Sequence, residues 1–162
     1  MTQGAARTEN IRPCTEPPTR ETRTEPVSMD ATEYAEACER LDIPEGLRKH
    51  AAPNAPARGK LVVARGMLPA APKALLALQF LLLGDPNKEV AAEANKALLE
   101  LPEDRLLGLI DDRTHPKILE FLAYRRTEEY LLEQICLRRQ LNDKTVCYLA
   151  ETGSVRITEM VA

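Results

Sequence analysis

The chain has 162 residues, a formal net charge of −3, 44% hydrophobic and 29% charged residues, and no tryptophan. That length fits one domain plus a tail, and the acidic balance lacks the basic footprint of a nucleic-acid binder. An aromatic content of 4% leaves few stacking platforms for bases or sugars and demands a core of Leu, Val, Ile and Ala.

Residues 1–28 carry four prolines, many Thr and Glu, and four Arg against four Glu. With almost no large apolar side chain to offset chain entropy, this segment reads as a disordered tail. No apolar secretory core is present in it, so a cytoplasmic protein is expected. Order is expected from Ser28–Asp30, giving a helical domain over 29–162, because Asp30-Ala31-Thr32-Glu33 has capping-box spacing.

From there prolines punctuate the chain. Pro44, Pro56, Pro72, Pro86, Pro102 and Pro116 each open a helix-like pattern, where a preset φ and a missing N–H do no harm. The periodicity predicts helices at 30–42, 44–52, 56–67, 72–84, 87–101, 103–111, 116–126, 128–139, 143–152 and 154–162. The fourth is apolar nearly all round, and its run Ala74 to Leu83 is interrupted by Gln79. That run falls well short of the roughly 20 residues of a bilayer span, so no membrane helix is expected. In the fifth, Val90, Ala94, Ala97 and Leu98 form one face whose alanines permit close approach. Sustained period-2 alternation is missing, so no strand is expected.

Connections of one to four residues make consecutive helices antiparallel, as in a stacked solenoid or an irregular bundle. The turn spacing favours the solenoid: Asp85 to Asp111 is 26 residues and Asp112 to Asn142 is 30, near the length of one helical hairpin. An all-α solenoid of short antiparallel hairpins is therefore the expected fold, with an irregular bundle as the alternative.

The phrase Asp85-Pro86-Asn87-Lys88-Glu89-Val90 with Ala94, Ala97 and Leu98 resembles a HEAT repeat, whose second helix follows Asp-Pro and a Val. Ala91 stands where that family often has Arg; Val155-Arg156 restores the pair. Asn142, Thr145, Leu149-Ala150, Val155-Arg156 and Val161-Ala162 resemble the leucine-rich-repeat variant, faintly echoed at Ala51–Pro56. Lys144 replaces a frequent proline of that family, and the iron–sulfur cysteines of one of its members have no counterpart. Both families are common in bacterial scaffold proteins, so the resemblance implies binding to another protein and no catalysis.

Candidate sites are few. Arg125-Arg126 and Arg138-Arg139 flank the eighth helix, about 18 Å apart at 1.5 Å per residue. Each pair lies at a helix C-terminus, which favours cations, and the two together offer a contact for an anionic partner. His115 stands near Asp104, Asp111 and Asp112, as acid–base chemistry would need, but Thr114-His115-Pro116 also reads as a helix cap. Cys14, Cys38, Cys136 and Cys147 show no CxxC pair, so reduced packing cysteines are expected and no metal or cofactor.

The stripe Ile157, Met160 and Val161 is still apolar where the sequence stops. It predicts either a longer repeat protein or self-association through the C-terminal helices. A non-enzymatic interaction or scaffold module follows from these features; the alternative is a HEAT-like protein contacting nucleic-acid phosphates.

Overall fold

The computed structural model describes residues 30–161. The tail read at 1–28 lies outside them. Ten α-helices follow in order: α1 (Ala31–Arg40), α2 (Glu45–Arg48), α3 (Ala57–Ala64), α4 (Pro72–Leu82), α5 (Lys88–Glu100), α6 (Glu103–Leu109), α7 (Pro116–Arg125), α8 (Glu129–Cys136), α9 (Asp143–Thr152) and α10 (Val155–Val161). No strand occurs among the described residues, and none of their helices is long and apolar enough to cross a membrane.

Helix starts follow the local chemistry. Asp30 caps α1 by accepting from the Thr32 and Glu33 amides, and Glu33 returns the bond to the Asp30 amide, completing the capping box. Asn87 and Asn142 cap α5 and α9 by accepting the Glu89 and Thr145 amides, without the return bond. Proline takes the N-cap of α2, α3 and α6 and the first turn of α4 and α7. Pro86 differs: it precedes the Asn87 cap and so lies outside the helix that it announces.

Helix ends are earlier than the periodicity predicts in α1 to α8, and the connectors 49–56, 65–71, 83–87, 110–115 and 137–142 exceed four residues. Two stops share one mechanism. Asp42 (φ 53) and Gly66 (φ 73) are left-handed. The Ile43 amide then reaches back to the Cys38 carbonyl, and the Met67 amide to that of Val62. Each is a Schellman motif, which satisfies the last carbonyls and ends the helix. At Asp42 the motif is sealed by Ile43 and Cys38, both buried in the core.

One hydrophobic cluster runs from Tyr34 in α1 to Ile157 in α10. Val90, Ala94 and Leu98 form the inner face of α5 and are completely or almost completely buried. Gln79, the polar interruption of α4, is also buried, and its Nε2 donates to the Ala64 carbonyl at the end of α3. The main helix contacts pair α3 with α4 and α5, α4 with α5, α6 with α8, α7 with α8 and α9, and α10 with α8 and α9. All of these join neighbours or next-but-one helices in the chain.

Candidate interaction surface

The four arginines divide into two inner and two outer groups. Arg126 follows α7 and is buried. Its Nη1 donates to the carbonyls of Leu98, Leu99 and Leu101 at 3.3, 2.7 and 3.0 Å, while Nε and Nη2 grip Glu128 at 3.1 and 2.6 Å. The last carbonyls of a helix have no intrahelical partner, and a guanidinium carries five donors in a rigid fork. Arg126 is thus a side-chain cap on α5. Its hydrogen bond holds the Glu128 carboxyl below the usual carboxylate range.

Arg138 acts in the same manner one hairpin later, donating to Asp112 at 3.0 Å and to the Ile110 carbonyl at 3.4 Å. The expectation that all four arginines face an anion needs correction on this point. Arg126 and Arg138 are already engaged inside the protein, and only Arg125 and Arg139 of the four are exposed, with no ion pair among the described residues.

The C-terminal stripe is corrected as well. Ile157 is 1% exposed and belongs to the core, because Gly153 turns the chain so that α10 lays this residue against α8 and α9. The turn is tight: a Cβ at Gly153 would meet the Leu149 carbonyl and lie 2.7 Å from Ile157 Cγ2. Met160 is exposed at 39%, and the Val161 side chain lies outside the described residues. The outward apolar group is instead Val155, 77% exposed, which the sequence pattern did not single out.

Val155 has company. Of the six large apolar side chains that are exposed among the described residues, Tyr130, Leu137, Val155 and Met160 lie on α8 and α10 or at their ends; Val62 and Met67 lie on and after α3. Tyr130 and Leu137 are seven residues apart, hence on one helical face. The seam with α10 is fixed by Ser154 donating to Glu129 and by Arg156 pairing with Glu133 at 2.9 Å. Val155 sits between those two anchors. A sign was available in the sequence: Leu131, Leu132 and Ile135 already fill the inner face of α8, which leaves Tyr130 and Leu137 to point elsewhere.

His115 is the N-cap of α7, with Nδ1 accepting the Lys117 amide at 3.2 Å. That bond occupies the lone pair a base would use and places the proton on Nε2. Burial first, then Arg40 and Lys117, pull its pKa below the ordinary histidine value, so the ring is neutral at pH 7. It borders a cleft of about 180 Å³ with Leu41, Asp42, Lys73, Ala74 and Ile118. This is room for one side chain, well under a usual small-molecule site. Lys73 Nζ on the rim holds both oxygens of Asp111 at 2.7 and 2.6 Å. Among the described residues no group of three or more His, Cys, Asp or Glu could hold a metal ion. Cys38 is fully buried and Cys136 partly so; burial pushes both thiols above their usual pKa. Cys14 lies outside the described residues.

No protein-family model matches the chain, and neither a curated protein nor a solved structure matches it.

Proposed function

We propose that the chain is a non-enzymatic, HEAT-like α-solenoid that serves as a protein–protein interaction module. The observation that carries this reading is a recurring polar link across one hairpin length. Lys60–Asp85 spans 25 residues, Arg65–Glu93 28, Arg126–Leu101 25, Arg138–Asp112 26 and Ser154–Glu129 25. Lys73–Asp111 at 38, Gln79–Ala64 at 15 and Tyr34–Arg48 at 14 depart from this length. In a stack of repeats each unit contacts its neighbours and little else, so links of near-constant sequence separation are what the architecture requires.

The hinges agree with this. Asp85 Oδ1 accepts the Asn87 amide and Asp111 Oδ1 accepts the Arg113 amide, both at 2.9 Å, so the same aspartate turn recurs after 26 residues. Where the HEAT resemblance leads one to expect an Arg, Ala91 stands, and the Asp85 carboxylate is held instead by Lys60 of α3 at 2.7 Å. The hinge keeps its anion and takes its cation from α3, two helices before α5.

Affinity capture of the full chain, followed by size exclusion, tests the function. A stoichiometric protein partner that survives nuclease treatment is expected. Material whose retention is lost on nuclease treatment contradicts the reading and favours phosphate-backbone binding.

A further inference from the structure

Resting on that interaction-module reading, we propose that the outer face of α8 and its seam with α10 dock an amphipathic helix with acidic ends. Tyr130 and Leu137 are 57% and 60% exposed on one face of α8, and Val155 is 77% exposed at the seam. Isolated exposed apolar residues are ordinary, whereas a concentration on two adjacent elements marks a contact surface. Tyrosine suits such a place, since its ring buries area while its hydroxyl stays satisfied. Two apolar side chains at i and i+7 beside a helix–helix seam present the spacing that an apolar helical stripe reads.

The sign of the partner comes from the charges around α8. Two of its three acids are ion-paired, Glu128 with Arg126 and Glu133 with Arg156, while Glu129 accepts the Ser154 hydroxyl and keeps its charge inside the two flanking arginines. Arg125 before the helix and Arg139 after it are exposed and meet no carboxylate among the described residues. They bracket the eight-residue α8 from outside, so their separation exceeds its length of about 12 Å and suits carboxylates at the two ends of a longer helix. On α10 the single acid, Glu159, lies a turn beyond Val155, so the cationic flank belongs to α8. A second copy of this chain is disfavoured as occupant, because a twofold contact through this face would set the same arginines against each other.

The test uses the full chain and a labelled synthetic peptide about four turns long, with leucines at i, i+4, i+7 and i+11 and glutamates at both ends, read by fluorescence anisotropy. Saturable binding is expected, weakened at least about tenfold by Tyr130→Ser with Leu137→Ser and by Arg125→Glu with Arg139→Glu, and unchanged by Met67→Ser. All of these residues are exposed, so thermal midpoints serve as the folding control. Equal binding of a scrambled peptide, or of one with lysines for the glutamates, overturns the proposal. So does a concentration-dependent dimer, seen by light scattering, that Tyr130→Ser with Leu137→Ser abolishes. If a protein captured by the full chain stays bound to the Tyr130→Ser, Leu137→Ser variant, this face is wrong although the module reading survives.

Discussion

Lys60 joins α3 to the hinge before α5 through Asp85, and each side chain is 6% exposed; Arg156 joins α10 to α8 through Glu133 while itself 71% exposed. The same contrast holds for apolar groups. In α3–α5 the inner face Val90, Ala94 and Leu98 is closed, Gln79 is satisfied on the Ala64 carbonyl and only Val62 and the following Met67 are exposed large apolar groups, whereas α8 and α10 turn Tyr130, Leu137, Val155 and Met160 outward. The first region directs its chemistry inward to lock the hinge. The second closes its seam with bonds from Arg156 and Ser154 and keeps apolar area in contact with water, which is the feature the proposed docking face rests on.

The largest effect expected from this contrast is at Asp85. Asp85→Ala leaves Lys60 buried with the Pro53 carbonyl at 3.1 Å as its remaining acceptor, and removing one member of a buried pair costs about 3–5 kcal/mol. Lys73→Ala breaks a hinge pair whose members are 44% and 53% exposed, for which below about 1 kcal/mol is expected. Urea midpoints of the two variants decide the matter; similar losses would remove the distinction between a buried and a surface hinge.

Glycines sharpen the comparison next. Gly153→Ala forces a Cβ against Leu149 and Ile157 and should cost about 1–3 kcal/mol through overpacking. Gly59 lies within α3 with nothing within 4 Å of an added Cβ, so Gly59→Ala should stabilise by about 0.5–1 kcal/mol. Thermal unfolding should move in opposite directions for the two variants.

The smallest effect concerns His115. Its folded pKa lies below the ordinary value, so the unfolded chain takes up the proton first. Stability is therefore complete above about pH 6.5 and declines as pH falls from there toward the folded pKa. His115→Asn keeps an N-cap acceptor without a titrating ring, and its stability should be flat across that interval. An unchanged slope in the variant would assign the decline to another group.

Much of the fold was legible because its signals are local. Asp30 with Glu33, the prolines at 44, 56, 72, 102 and 116, and the stripe Val90–Ala94–Leu98 each act within one or two turns, and all ten helices follow from such features. The helix ends were overrun because the stop at Asp42 depends on a left-handed aspartate that is unremarkable in the sequence. The interaction surface was half legible. Four arginines stood in two pairs, but which of each pair turns inward depends on carbonyls 25 to 28 residues earlier, and no local pattern records that. Ile157 was misplaced for a related reason: three apolar residues define a stripe, and only the Gly153 turn decides which of them meets α8 and α9.

Residue-resolved amide exchange on the Asp85→Ala variant beside the parent chain tests most directly whether the stabilising coupling follows the main contacts between neighbouring and next-but-one helices. Faster exchange in α3, α4 and α5 with protection in α8, α9 and α10 retained is the predicted result, since stacked units transmit a local loss mainly to their neighbours. A uniform loss of protection across all ten helices would contradict it, and would identify the chain as a single cooperative bundle.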